Sequence, residues 1–199
     1  MKLTALSLLL MAVLCFSVSQ TMAQQSATSD EVTKENWQQH PKINAVRAIV
    51  ETVKDGLNRK SFRTGTRKFE YCEPYEDGQR TLAIDRRGRV RYYEKQGGSE
   101  DSSLKWEHYY DDLGRLRFVF ITGGATNGAE LEHRIYFDEG GKRIYEEQKY
   151  TKGEGYTFPT VWPAEQLNVS NVSAAFAAKS SCPEIKSKKA KGQARKGKR

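Results

Sequence analysis

The stretch from residue 42 to residue 58 predicts an amphipathic helix. Its apolar side chains recur three or four positions apart with charged residues between them, at Ile43, Val46, Ile49, Val50, Val53 and Leu57. Pro41 stands just before the first of them, where a helix start tolerates proline, and Gly56 and Asn58 are typical stop signals. A single apolar stripe favours a helix that packs on a sheet; binding to a partner or to a membrane surface is the alternative.

Between residues 67 and 150 the pattern changes to short alternating stretches separated by glycine with aspartate or asparagine. One unit, Asp-x-x-Gly followed by Arg or Lys, occurs three times, and its aspartates lie 26 and 27 residues apart. Aspartate bonds the backbone two residues further on, and glycine adopts the positive φ that a tight turn requires. The unit therefore predicts three hairpin turns, with Asp85 and Gly88, Asp111 and Gly114, and Asp138 and Gly141.

The stretches between the turns predict antiparallel strands. In residues 115–121 one alternating set is wholly apolar and is expected to face a core: Leu116, Phe118 and Phe120. The other set, with Arg115 and Arg117 in it, is expected to face away from that core. An exposed face is thus expected to carry residues that contact a partner: Arg89, Arg91, Tyr93, Arg115 and Arg117.

We therefore predict an α+β fold: six to eight strands in an antiparallel meander of repeated hairpins, with the N-terminal helix 42–58 packed on one face. Two glycine-rich segments, 96–103 and 123–129, are expected to be flexible connections. Residues 156–167 contain two aromatic-proline pairs, which favour an extended segment packed over the core; a ligand for a partner is the alternative.

Two of the units resemble known repeats. Residues 110–116 (YDDLGRL) look like the YD repeat of large bacterial surface and toxin-delivery proteins. Residues 137–142 (FDEGGK) look like the core of MORN-type repeats. Both families are tandem β-hairpins that serve as scaffolds or interaction surfaces, so the resemblance, which covers residues 75–150, implies binding rather than catalysis. The whole chain also resembles small exported single-domain proteins of bacteria.

Residues 1–23 read as a secretory signal peptide. Lys2 provides the positive start, residues 3–18 the apolar stretch, and Ala23 a small residue at the cleavage position. The apolar run is shorter than the roughly 20 residues that span a bilayer, which disfavours an uncleaved anchor. A lipoprotein would use Cys15, but Leu14 precedes it where a small residue is needed. We expect an exported protein, periplasmic or secreted.

Two cysteines remain after such cleavage, Cys72 and Cys182. An even number of cysteines in an exported chain predicts a disulfide bond, with two free thiols as the alternative. The bond would close a loop of about 110 residues and join residue 182 to the folded body.

The net charge of +8 lies at the ends of the chain. Residues 24–182 hold 24 basic and 24 acidic residues, so a basic nucleic-acid-binding fold is disfavoured. Residues 183–199 hold one acidic residue and eight basic ones: Lys186, Lys188, Lys189, Lys191, Arg195, Lys196, Lys198 and Arg199. This segment has too few apolar residues to fold and is expected to be a disordered tail. It would bind an anionic cell-surface component, another envelope protein or, peripherally, a membrane; a merely solubilising role is the alternative.

No motif of catalysis or of cofactor binding occurs in the chain. The nucleophile motif G-x-S-x-G and the phosphate-binding glycine motifs are absent. His108 and His133 occupy matching places before two of the turns, but counting outward from the turns puts them on opposite faces of the sheet, which disfavours a metal site. Asn168 and Asn171 begin two N-glycosylation sequons, whose use the sequence leaves open.

The domain organisation predicted is therefore a signal peptide (1–23), a flexible leader (24–41), one α+β domain (42–182) and a basic tail (183–199). The function we expect is that of a non-enzymatic binding or envelope-associated protein without a cofactor. A hydrolase that acts on an envelope polymer through Asp or Glu carboxylates is the alternative.

Overall fold

The computed structural model describes residues 30–70, 78–153, 158 and 167–180. Its elements are α1 (Pro41–Asn58), β1 (Arg63–Phe69), β2 (Gly78–Ile84), β3 (Val90–Gly98), β4 (Ser102–Tyr110), β5 (Leu116–Ala125), β6 (Glu130–Phe137), β7 (Arg143–Lys152) and α2 (Val172–Ala177). The seven strands form one antiparallel sheet in the order of the chain. The predicted α+β class and antiparallel meander are confirmed. The signal peptide, both cysteines, the basic tail and most of the segment 156–167 lie outside the described residues.

Helix α1 begins at Pro41 and ends at Asn58. His40 is the N-cap, and its Nδ1 accepts a hydrogen bond from the backbone N–H of Lys42 at 3.2 Å. At the other end Lys60 takes a positive φ of 54°. Gly56 lies inside the helix and is buried, and a Cβ at this position would overlap the ring of Phe62. Gly56 therefore permits close packing, and the stop signal predicted there is wrong.

One face of the sheet, here called the helix face, packs against α1. Ile43, Val46, Val50 and Val53 of the helix are buried in one cluster with side chains from five strands. The sheet contributes Ala83, Tyr92, Tyr109, Phe118 and Tyr136. Phe118 and Tyr136, on neighbouring strands, have ring centroids 4.8 Å apart. The apolar stripe of α1 thus buries an aromatic row that crosses the sheet.

The opposite face of the sheet is also buried. Here Tyr93, Val119, Ile121 and Ile135 form a cluster with residues from the segment before and within α2, namely Leu167 and Val172. Val119 and Ile121 face away from Phe118 and Phe120, as alternation predicts, but a second core covers that side of the sheet as well. The prediction that Leu116 shares a face with Phe118 and Phe120 is wrong, because Leu116 belongs to this second core. Arg117, expected at the exposed face, is 6% exposed. A strand buried on two faces is apolar at nearly every position, as the run from Leu116 to Ile121 is.

Tight turns connect the strands where flexible segments were expected. β5 continues through Gly123 and Gly124, and the chain turns over only at Thr126–Gly128. β3 continues to Gly98 and β4 begins at Ser102, so most of the segment 96–103 is also strand. Both predictions of a flexible connection are therefore wrong, because glycine here lies in the strands themselves.

Part of the predicted flexible leader is ordered. Within residues 31–40 the backbone N–H of Trp37 donates to the carbonyl of Thr33 at 3.0 Å. The Trp37 ring stacks on Tyr145 of β7, with ring centroids 5.0 Å apart. His40 is buried at the start of α1. The described part of the leader thus packs on the helix face, and its predicted flexibility is wrong from residue 31 onward.

Candidate functional site

Three turns of the same construction stand side by side at one end of the sheet, here called the turn edge. They join β2 to β3, β4 to β5 and β6 to β7, which are alternate connections of a meander and therefore lie at the same end. In each, the N–H of the aspartate donates to the carbonyl four residues on, at 2.9 to 3.0 Å. In each, the glycine has a positive φ, 81° at Gly88, 79° at Gly114 and 81° at Gly141.

The turn aspartates bind the backbone of their own turns. One carboxylate oxygen of Asp111 accepts from the N–H groups of Leu113 and Arg115, both at 2.9 Å. Asp85 and Asp138 make the same two bonds, at 2.8 to 3.0 Å. This pattern satisfies N–H groups that a turn otherwise leaves without partners. The three aspartates named from the sequence therefore have a direct structural role.

Six residues after the aspartate, the first two units have an arginine whose side chain reaches the next turn. Arg91 and Arg117 are each the extra residue of a β-bulge, which occurs at the same place after each turn. The Nε of Arg91 donates to the carbonyl of Tyr110, and that of Arg117 to the carbonyl of Phe137, both at 3.3 Å. These carbonyls stand just before the next aspartate. The bulged arginines therefore join each turn to its neighbour; in the last unit Ile144 takes this place.

Asp111 is the most heavily bonded of the three aspartates. Its second oxygen accepts from Arg115 Nε at 2.7 Å and lies 3.5 Å from an amino nitrogen of Arg117, whose side chain is only 7% exposed. Burial by itself would raise the pKa of Asp111, but hydrogen bonds from the backbone and guanidinium of Arg115 and from Leu113 hold the pKa below its usual value. Among the described residues, Asp85 has Arg89 alone as its charged partner, at 3.0 Å.

The exposed interaction face predicted from the sequence does not exist as proposed. Tyr93 is 1% exposed and Arg117 is 6% exposed, and both belong to the interior. Arg91 is half-buried because it reaches to the neighbouring turn. The register that the bulges set, rather than simple alternation, decides which residues face solvent.

A pair of carboxylates on neighbouring strands was not predicted. Glu94 of β3 and Glu107 of β4 lie directly opposite each other on the helix face. The hydroxyl of Tyr92 lies 2.8 Å from Glu94 Oε2 and 2.9 Å from Glu107 Oε1, and Tyr109 also donates to Glu107, at 3.2 Å. Lys105 Nζ contacts Glu107 Oε2 at 3.0 Å. Burial and the negative charges of both glutamates raise the pKa of Tyr92, so it remains a donor.

The two histidines lie on the same face of the sheet, and the prediction that they lie on opposite faces is wrong. His108 pairs with Val119, and His133 with Ile121; these partners are both buried in the core beside α2. The bulge after the second turn shifts the register by one residue, which reverses the side on which His108 lies. Burial lowers the pKa of His133 against the opposing effect of Glu146, 3.4 Å away.

The histidines do not build a metal centre with their described neighbours. Within residues 30–70, 78–153 and 167–180, no group of three or more His, Cys, Asp or Glu side chains is placed to hold a metal ion. His108 Nδ1 instead contacts the carbonyl of Tyr93 at 3.2 Å.

The chain that leads to the basic tail is attached to the sheet edge. The N–H of Glu70, next after β1, donates to the carbonyl of Lys179 at 2.8 Å, and Glu70 pairs with Ser180 in a parallel bridge. Ser180 is two residues before Cys182, and Glu70 is two residues before Cys72. The nearby strand β1 exposes basic side chains at Arg63, Arg67 and Lys68.

Comparison with known proteins finds no family model, no curated protein and no solved structure that matches the chain. The resemblance of residues 75–150 to hairpin repeats therefore stays a prediction. As for membrane spans, the helices of the described residues are all too short or too polar to cross a bilayer.

Proposed function

We propose that this chain is an exported, non-enzymatic binding protein whose C-terminal tail attaches it to an anionic component of the cell envelope. The observation that carries the proposal is the attachment of residues 179 and 180 to Glu70, directly before the tail. A charged, flexible segment that starts from a fixed point on a folded domain holds that domain within the segment's reach of the surface it binds.

The distribution of charge supports this function. The tail has a net charge of +7 in 17 residues, whereas residues 24–182 hold equal numbers of acidic and basic residues. Each Lys or Arg near an anionic surface contributes about 1 kcal/mol to binding at physiological ionic strength. The exposed cations of β1 lie on the strand that leads to Glu70, the partner of Ser180, and would add to this attraction.

We also propose that Cys72 and Cys182 form the disulfide bond that the sequence predicts. The parallel pairing of Glu70 with Ser180, continued for two residues, would bring positions 72 and 182 opposite each other. Neighbouring strands lie about 4.8 Å apart, which is within the range of Cα separations that a disulfide bridges. The bond would then reinforce the attachment from which the tail starts.

The test of the tail compares three forms of the exported protein on lipid vesicles. The forms are the chain from Gln24, the same chain without residues 183–199, and a form in which the eight basic tail residues are glutamine. We expect binding of the first form to phosphatidylglycerol vesicles, with a partition coefficient that falls at least ~100-fold on either change and falls with added salt. Equal retention of all three forms would contradict the role of the tail.

The export that this function requires has its own test. N-terminal sequencing of protein recovered outside the cytoplasm should begin at Gln24. A mature protein that still contains residues 1–23 would contradict cleavage near Ala23.

The facing carboxylates favour a second candidate function, hydrolysis of an envelope polymer. Glu94 and Glu107 both contact the Tyr92 hydroxyl, so their carboxyl groups lie close together. Retaining glycosidases also use two close carboxyl groups, about 5–5.5 Å apart. Tyr109 and Lys105 also bind Glu107, which suits a structural network better than a catalytic one. Release of soluble sugars from isolated peptidoglycan, abolished in both Glu94→Gln and Glu107→Gln, would support hydrolysis; no release by the unmodified protein would exclude it for this polymer.

A further inference from the structure

A cavity of about 680 Å³ opens at the turn edge, between the second and third aspartate turns. Gly114 and Arg115 of one turn and Glu139, Gly140 and Gly141 of the next form two of its sides. The segment 168–173, which leads into α2, forms another side. The volume lies in the range of about 300–1,000 Å³ that is typical of small-molecule sites.

Tyr110 lines this cavity and carries a hydroxyl that has no hydrogen-bond partner among the described residues. The side chain is 4% exposed, and the hydroxyl is closed to water. A buried polar group without a partner destabilises the fold, because the group loses its hydrogen bonds to water and gains none in return. The hydroxyl of Tyr110 therefore does not stabilise the fold, and binding of a ligand would explain its presence.

The repeat itself shows that the turn does not need this hydroxyl. The residue just before the turn aspartate is Ile84 in the first unit, Tyr110 in the second and Phe137 in the third. The first and third turns have the same backbone bonds as the second. An apolar side chain is thus sufficient at this position, and of the second and third units, which both line the cavity, the second alone has a tyrosine here.

The other lining groups indicate the chemistry of a ligand. Asn168, Ser170 and Ser173 offer both donors and acceptors of hydrogen bonds. Arg115 and Glu139 lie 3.6 Å apart and balance each other in charge. Leu116 and Phe137 add apolar surface. Hydroxyl groups on a ring with an apolar face match such a lining, whereas an ionic ligand would meet a charge of its own sign as well as the opposite one.

We propose that the cavity binds a neutral saccharide unit and that the Tyr110 hydroxyl is a specificity-determining hydrogen-bonding group of this site. Because the hydroxyl is closed to water, a ligand must shift part of the lining to reach it. Movement of the segment 168–173 on binding is therefore expected.

The experiment uses the oxidised, exported full chain and three probes: maltotetraose, chitotetraose and inorganic phosphate. Titrations are followed by calorimetry and by amide chemical shifts. We expect one of the two neutral oligosaccharides to bind and to shift the amides of residues 168–173, while phosphate does not shift them. Loss of the hydroxyl in Tyr110→Phe should weaken binding about tenfold, the effect of one good hydrogen bond.

The neighbouring Tyr109 provides a matched control. Its hydroxyl donates to Glu107 on the helix face, away from the cavity. Tyr109→Phe should lower the melting temperature without changing the affinity for the oligosaccharide, whereas Tyr110→Phe should leave the melting temperature unchanged or raise it. A neutral oligosaccharide that fails to bind at 10 mM, preferential binding of phosphate, equal affinity of Tyr110→Phe, or a loss of melting temperature in Tyr110→Phe would each overturn the proposal.

Discussion

The three aspartate turns form an internal series in which the backbone is constant and the charged partners differ. Replacement of each aspartate by alanine should therefore destabilise the fold to a different degree. Asp138→Ala removes an acceptor for two turn N–H groups, comparable to the loss of a helix cap, which costs about 1 kcal/mol. Asp85→Ala removes the same bonds and a partly exposed ion pair with Arg89, which adds up to about 1 kcal/mol.

Asp111→Ala should be the most destabilising of the three. It removes the same two backbone bonds and also deprives Arg117, 7% exposed, of its nearest carboxylate; among the described residues the exposed Glu139, 3.9 Å away, is the carboxylate that Arg117 keeps. A buried charge that loses its partner costs about 3–5 kcal/mol, and the remaining contact with Glu139 places Asp111→Ala at the lower end of this range. The melting temperature of a domain of this size changes by roughly 2–4 °C per kcal/mol. If the two variants differ in stability by about 3 kcal/mol, Asp111→Ala should melt about 6–12 °C below Asp138→Ala.

Urea unfolding of the oxidised protein, followed by circular dichroism, measures these free energies. If the slope of the unfolding free energy against urea concentration is the same in every variant, the folded and unfolded states are comparable among them. Losses in Asp111→Ala and Asp138→Ala that agree within about 0.5 kcal/mol would refute the reasoning, since the buried arginine would then contribute nothing.

The pH dependence of stability provides a second test of Asp111. Its pKa is lowered in the folded state, so its contribution to stability is complete above the unfolded value, about 3.9, and is lost as the pH falls through the folded value. The stability difference between the unmodified protein and Asp111→Asn should be constant from pH 5 to 7 and shrink below about pH 4. A difference that does not change with pH would contradict the charged contact with Arg115 and Arg117.

Two further changes test the packing and the proposed cross-link. In thermal unfolding, Gly56→Ala should lower the stability by about 1–3 kcal/mol, because its Cβ would overlap Phe62. The control Gly124→Ala, with nothing within 4 Å of its Cβ, should change the stability by no more than about 0.5 kcal/mol. Equal losses of stability in the two variants would contradict the close approach. Reduction of a Cys72–Cys182 bond, which closes a loop of about 110 residues, should cost up to roughly 4–5 kcal/mol in urea unfolding, with Cys72→Ser insensitive to the reductant. Two free thiols in the oxidised protein, measured by intact mass, would remove the bond.

The turns could be predicted from the sequence because their chemistry is local. Asp111 and Gly114 are three residues apart, and both the carboxylate bonds and the positive φ involve only the turn itself. The strand order follows, since hairpin turns join neighbouring strands. These features need no knowledge of the rest of the molecule.

The faces of the strands could not be predicted in the same way. A β-bulge adds one residue to one strand, and from there on every side chain changes sides. This is why His108 lies on the same face as His133, and why Arg117 points inward although its neighbours in an alternating pattern suggested otherwise. The signal that was present was the near-continuous apolar run of β5, which is typical of a strand that is buried on both faces.

The candidate sites were missed for a related reason. Glu94 and Glu107 are 13 residues apart and meet only through the pairing of β3 with β4. The cavity beside Tyr110 depends on residues 168–173 returning to the turn edge from the far end of the chain. Tyr110 could have been noticed by comparison of the three units, because Ile84 and Phe137 lack its hydroxyl.

The bulged arginines bear on how a sheet of this kind changes in length during evolution. Arg91 and Arg117 each belong to one unit and bind the backbone of the next, so a duplicated two-strand unit contains both the donor and the carbonyl that joining requires. In the last unit the bulge position holds Ile144, which has no guanidinium to offer a further neighbour. Gene duplication could therefore lengthen the sheet in steps of two strands, and the residue at position 144 marks where the series stops.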